Sequence, residues 1–231
     1  MFESALRFAL SLSSILLAAT PLAAGEPGGT KDFSEASPSE LGIAWVDERR
    51  DPKTGFLVGG KNATSLVKEL TELNGRPIDR LEQAMRPGAA SEKGFLGPQE
   101  RLLDLLASDN TYVTQERRLT HQQLARAMRM LAAIGRKQPG QEFAYRGRSY
   151  RVDVQYYRGF QESPFEDGTR ANSEATIESL SNGKTLRFSL LVPDMIERYG
   201  FYEGRGTPYR VEPRRILEVC DFLADEDRVT P

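Results

Sequence analysis

The chain has 231 residues, with 31 basic and 33 acidic side chains, one histidine and one cysteine. A formal charge of −2 supplies no global basic field for nucleic acid or an anionic membrane surface. A single histidine excludes a histidine-rich metal site. A single cysteine, Cys220, excludes an intramolecular disulfide, so the fold must rest on packing.

Met1–Ala24 reads as a secretory leader. Arg7 precedes an almost unbroken apolar run from Phe8 to Ala19, shorter than the roughly 20 residues that span a bilayer, and Ala23-Ala24 supplies a small-residue cleavage site. Cleavage near Ala24 would give a secreted protein, periplasmic in a double-membrane bacterium, with no transmembrane segment in the mature chain. Residues 25–40 are rich in Gly, Pro and Ser and read as a flexible tether. Residues 41–231 read as one domain, whose only candidate seam lies at 137–141.

Short strands are expected at Leu41–Val46 and Gly55–Gly59. A helix then starts near Asn62 and carries Leu66, Leu70 and Leu73 to a stop at Asn74-Gly75. Pro77 opens a second helix with Ile78, Leu81 and Met85, ended by Pro87-Gly88, and Pro98 opens a third with Leu102, Leu103, Leu105 and Leu106. The fourth is the best specified. Thr120 and Gln123 have capping-box spacing, Leu119 and Leu124 form a staple, and Leu124, Ala127, Met128, Leu131 and Ile134 make one apolar stripe stopped by Gly135.

After Pro139-Gly140 the apolar period changes to alternation. A two-residue turn at Arg146-Gly147 sets Phe143 against Tyr150 and Glu142 against Arg151, with Tyr150, Val152, Val154 and Tyr156 on one side. A second turn at Asn182-Gly183 sets Glu178 against Arg187, Ile177 against Phe188 and Ala175 against Leu190. A polar loop from Ser163 to Ser173 joins the hairpins. Pro193 opens a short helix to Tyr199-Gly200, and Pro213 opens the last, with Ile216, Val219, Cys220 and Leu223 on one stripe. The fold class is therefore α+β: an N-terminal helical half packed with a small antiparallel sheet of two hairpins, closed by C-terminal helices.

No segment carries a complete catalytic set, a metal motif or a cofactor motif, which leans away from an enzyme. Gly55–Asn62 nearly spells a phosphate-binding loop but lacks the terminal hydroxyl that would hold magnesium. Asn62-Ala63-Thr64 is a glycan acceptor if the source is eukaryotic. His121 falls at a helix N-terminus, expected to face solvent, and Cys220 falls on an apolar stripe, expected to be inert. Glu166 and Asp167 on one loop, with Glu197 and Glu203 beside an aromatic turn, are the carboxylates from which a hydrolase of glycan or peptide would draw.

The segment best suited to binding is the loop from Tyr199 to Arg210. Tyr199, Tyr202, Glu203, Arg205, Tyr209 and Arg210 combine ring faces with charge-assisted donors, on backbone loosened by Gly200, Gly204 and Gly206. The leading reading is an exported non-catalytic module that binds a protein partner or an envelope ligand. An exported hydrolase using carboxylates or His121 is the alternative. A third reading is a winged helix on nucleic acid, with Arg126, Arg129, Arg136, Lys137, Arg146 and Arg148 on one face, opposed by the leader and the neutral balance.

Overall fold

A computed structural model describes residues 30–44, 69–89 and 91–226. The expected leader, the strand and phosphate-loop-like segment at 55–62 and the acceptor Asn62 lie outside those residues. The described chain is α+β. Its strands are β1 (Lys31–Asp32), β2 (Glu72–Leu73), β3 (Arg76–Pro77), β4 (Glu142–Tyr145), β5 (Arg148–Glu162), β6 (Arg170–Ser179) and β7 (Lys184–Ser189). Its helices are α1 (Ile78–Met85), α2 (Leu102–Asn110), continued by a π-helical turn over Thr111–Glu116, α3 (His121–Lys137), α4 (Val192–Tyr199), α5 (Pro213–Val219) and α6 (Leu223–Glu226).

The sheet runs β1-β4-β5-β6-β7 and is mixed rather than purely antiparallel, because β1 pairs parallel to β4 through Lys31 with Phe143 and Asp32 with Ala144. The tether reading therefore fails over this stretch. Phe33 is buried and meets the Phe143 ring edge-on, so apolar contact fixes a segment whose composition suggested a linker. The N-terminal half is not simply helical either. Leu41–Ala44 forms a turn and irregular chain instead of a strand, and Leu73-Asn74-Gly75-Arg76 is a hairpin turn between β2 and β3 instead of a helix end. Asn74 and Gly75 both have positive φ, the conformation of a tight hairpin turn.

α3 forms as its sequence dictates. The Thr120 hydroxyl accepts from Gln123 N at 3.1 Å while Gln123 Oε1 accepts from Thr120 N at 2.8 Å, closing the capping box, and Leu119 and Leu124 are both buried. Gly135 does not stop the helix. A Cβ there would sit 2.4 Å from Val152 Cγ1, so the glycine lets α3 lie close on β5.

The first hairpin has the expected register, Phe143 to Tyr150 and Glu142 to Arg151. The second is shifted by two. Ser179 pairs with Lys184, so the connection is the four residues 180–183, and Ile177 faces Leu186, Ala175 faces Phe188 and Thr176 faces Arg187. Leu180 N donates to Ser149 O at 2.8 Å and Asn182 Nδ2 to Glu218 O at 2.8 Å, bonds that a two-residue turn would forfeit. A shift of two preserves the side-chain faces, which is why Ile177 and Phe188 are still buried. Glu178 finds Arg151 instead of Arg187.

β5 is long enough to leave the body of the protein. Tyr150 and Val152 are buried, but Tyr156, Tyr157 and Phe160 stand in solvent, and between Tyr156 and Gln161 the pairing with β6 is interrupted by a bulge. The expected loop to Ser173 is shorter, since β6 begins at Arg170. Its tip folds back: Phe165 stacks on Tyr199 at 3.9 Å, Phe165 O accepts from Asn74 Nδ2, and Glu166 pairs with Arg76 and Arg80.

Candidate functional site: a groove beside the β5–β6 arm

A groove of about 1060 Å³ runs along this arm. Tyr157, Phe160, Glu162 and Asn172 come from the strands, Ser163 and Glu166 from the tip loop, Ala84 and Ser91 from α1 and the chain after it, and Glu203 and Tyr209 from the last long loop. The bulge turns the Tyr157–Phe160 segment out of the ladder and into this space. Three rings in it are strongly exposed: Phe160 at 58%, Tyr209 at 47% and Tyr157 at 42%. Polar groups tie down two of the strand rings. Tyr157 donates to Glu174 Oε2 at 2.9 Å, and the Arg170 guanidinium lies 4.7 Å above Phe160.

The loop from Tyr199 to Arg210 is mostly interior. Tyr199 is buried and its hydroxyl donates to Asp167 Oδ2 at 2.7 Å. Tyr202 is fully buried and its hydroxyl lies 2.7 Å from His121 Nδ1, whose Nε2 lies 3.1 Å from Asn110 Oδ1. Since Oδ1 only accepts, Nε2 carries the ring proton and Tyr202 donates to Nδ1. His121 thus faces the core rather than solvent, and burial pushes its pKa down to about 4.

The Arg210 side chain is only 4% exposed and spends all five of its donors. Two go to Asp109, at 3.0 and 2.7 Å, two to Glu212, at 2.6 and 3.1 Å, and one to the Glu203 carbonyl at 2.5 Å. Glu100 clasps the same loop, its carboxylate accepting from Gly97 N, Arg205 N and Gly206 N. Gly204 fits only because it lacks a side chain: a Cβ would lie 2.2 Å from Glu100 Oε2 and 2.9 Å from Leu96 Cα. Of the six residues chosen from the sequence, Arg205 and Tyr209 are exposed, and only Glu203 and Tyr209 line the groove.

Glu203 is unusual on three counts. It is 1% exposed, its φ is +65°, and its Oε2 is buried without a hydrogen-bond partner. Desolvation pushes its pKa up to about 8, opposed by the nearby Arg210 guanidinium. The other carboxylates do not gather around it. Glu197 is buried beneath Arg126 and Arg129, and Asp167 accepts from Tyr199 and Thr169, whereas Glu166 lines the groove. Cys220 is buried among Ile216, Val219 and Leu223, and burial raises its thiol pKa.

The cations of the winged-helix reading are largely engaged within the protein. Arg126 and Arg129 reach Glu197, Arg129 also reaches Asp194, Arg148 reaches Asp221 and Asp225, and Arg146 lies over Tyr145 and Phe222. Among the described residues no helix is long and apolar enough to cross a membrane, and no group of His, Cys, Asp and Glu is arranged to hold a metal ion.

The bulge, and with it the exposed rings of β5, had a faint signal in the sequence. Tyr156-Tyr157-Arg158-Gly159-Phe160 breaks strict alternation around a glycine, a pattern typical of an interrupted strand. Comparison with protein-family models, with curated proteins and with solved structures finds no match to this chain.

Proposed function

We propose that the protein is an exported binding module whose ligand, a partner protein or a molecule of the cell envelope, lies in the groove beside the β5–β6 arm. One observation carries this reading: Tyr157, Phe160 and Tyr209 come from two distant parts of the chain and expose their rings in the same groove. The leader at Met1–Ala24 supports export. A photoreactive phenylalanine analogue in place of Tyr209 should cross-link to a component of the source's envelope extract. The adduct should vanish when Tyr157→Ala and Phe160→Ala are combined, with the melting temperature close to wild type because both rings stand in solvent. An adduct that persists in the double variant would move the binding face elsewhere.

One observation favours the hydrolase as a second reading. Glu203 and Glu166 line the same groove in opposite surroundings, the former desolvated and the latter held by two arginines. A desolvated carboxyl and a salt-bridged one in a single groove are the two kinds of group that glycoside cleavage draws on. Turnover of a glycan or peptide by the wild type, abolished by both Glu203→Gln and Glu166→Gln, is the result that would favour it over simple binding.

A further inference from the structure

The chemistry of the groove says what kind of group it is built to receive. Its ionisable lining is Glu162, Glu166, Glu174 and Glu203 against Arg170 alone. Glu166 is held by Arg76 and Arg80 and Glu174 by Arg187, which leaves Glu162 and Glu203 as the lining carboxyls without a salt bridge among the described residues. Glu203 is the more telling of the two. An unpartnered oxygen in a side chain this buried costs free energy that an apolar residue would not, and its left-handed backbone adds strain. Arg210 holds the strained turn by its grip on the Glu203 carbonyl, and Gly204 N adds a bond to Phe95 O at 2.7 Å. The surroundings thus fix the position of Glu203 while leaving part of its carboxyl unsatisfied.

The rings point the same way. Aromatic faces attract cations, and the Arg170 guanidinium over Phe160 shows that a groove ring accepts one. We propose that the partner presents a basic peptide segment, with a lysine or arginine head group received between the exposed rings and the Glu203 carboxyl. This rests on the groove being the binding face and adds the chemistry of its occupant. Incoming positive charge would favour the ionised carboxylate, so Glu203 gives up a proton as the complex forms. The charged group that bears on that proton is Arg210, which donates to the Glu203 carbonyl and is itself paired with Asp109 of α2 and with Glu212. A peptide fits better than a neutral glycan because a sugar hydroxyl brings no charge to offset the desolvation of Glu203.

The test uses the whole mature chain and two blocked peptides of alternating lysine and alanine, one with free amines and one acetylated on every lysine. Calorimetry should show the free peptide binding at least tenfold more tightly, with proton release in buffers of different ionisation enthalpy. Glu203→Gln, which keeps shape and removes charge, should cost about tenfold and abolish the proton release. Equal affinity for the two peptides, or no binding of either, overturns the proposal, as does tighter binding of a neutral N-acetylglucosamine oligomer. The groove reading fails separately, if affinity for whichever probe binds is unchanged in the Tyr157→Ala, Phe160→Ala variant.

Discussion

At the scale of single residues, the buried polar set around Arg210 makes the sharpest demands. Asp109 is buried and its partner supplies two parallel bonds, so Arg210→Ala would strand a carboxylate in the interior at a cost of about 3–5 kcal/mol by urea denaturation. Lysine should rescue little, because one ammonium cannot reproduce five donors spread over Asp109, Glu212 and the Glu203 carbonyl. Two titrations give stability opposite slopes in pH. His121 has its pKa lowered from 6.5 to about 4, so the stability it contributes is present above pH 6.5 and is lost as pH falls through 4. Glu203 has its pKa raised from 4.5 to about 8, so its contribution is present below pH 4.5 and is lost as pH rises through 8. Chemical denaturation at several pH values should therefore show a steeper loss on the alkaline side in wild type than in Glu203→Gln. An unchanged slope would mean the carboxyl is solvated.

At the scale of elements, close approach and turn geometry set the tolerances. Gly135→Ala should cost about 1–3 kcal/mol, because the new methyl must push α3 away from Val152, and a thermal melt measures it. Gly183, at φ +69°, should lose about 1 kcal/mol on conversion to alanine even though nothing lies within 4 Å of the added carbon, since strain there is in the backbone. The elements that sequence reasoning recovered are those whose information is local. The capping box of α3, the Pro-initiated α1, α4 and α5 and the first hairpin are all specified within a few residues. What it missed was decided at long range. The second hairpin shifts by two because Ser149 and Glu218 claim Leu180 and Asn182, and Phe33 is ordered because Phe143, far along the chain, offers an edge. The candidate loop was legible as a concentration of rings and charges. Its orientation was not, since nothing near Tyr202 or Arg210 in sequence announces His121 or Asp109 as partners.

At the scale of the whole molecule, the stretch at 137–141, which the change of period from helical to alternating marks as a seam, joins two halves that share one core. A single buried cluster includes Leu124, Met128, Leu131 and Ile134 from α3, Tyr150 and Val152 from β5, Ile177 from β6 and Ile216 and Val219 from α5. Both sides of that stretch lose by separation. The sheet would expose the face that α3 covers, and α3 would lose Arg126 and Arg129 contacts to Glu197 together with its apolar stripe. An isolated piece of either side keeps its local hydrogen bonds but forfeits the apolar burial that dominates folding. Chains cut after Lys137 should accordingly give no cooperative melt as separate halves, by circular dichroism, and should regain one when the two are mixed. The arm and its groove depend on the same core, because β5 and β6 enter the arm directly from the buried pair Val152 with Ile177 and from Ala175, buried against the half-buried Val154. A C-terminal half that melted cooperatively by itself would show the sheet to be an independent domain, and the groove would then have to be tested on that half alone.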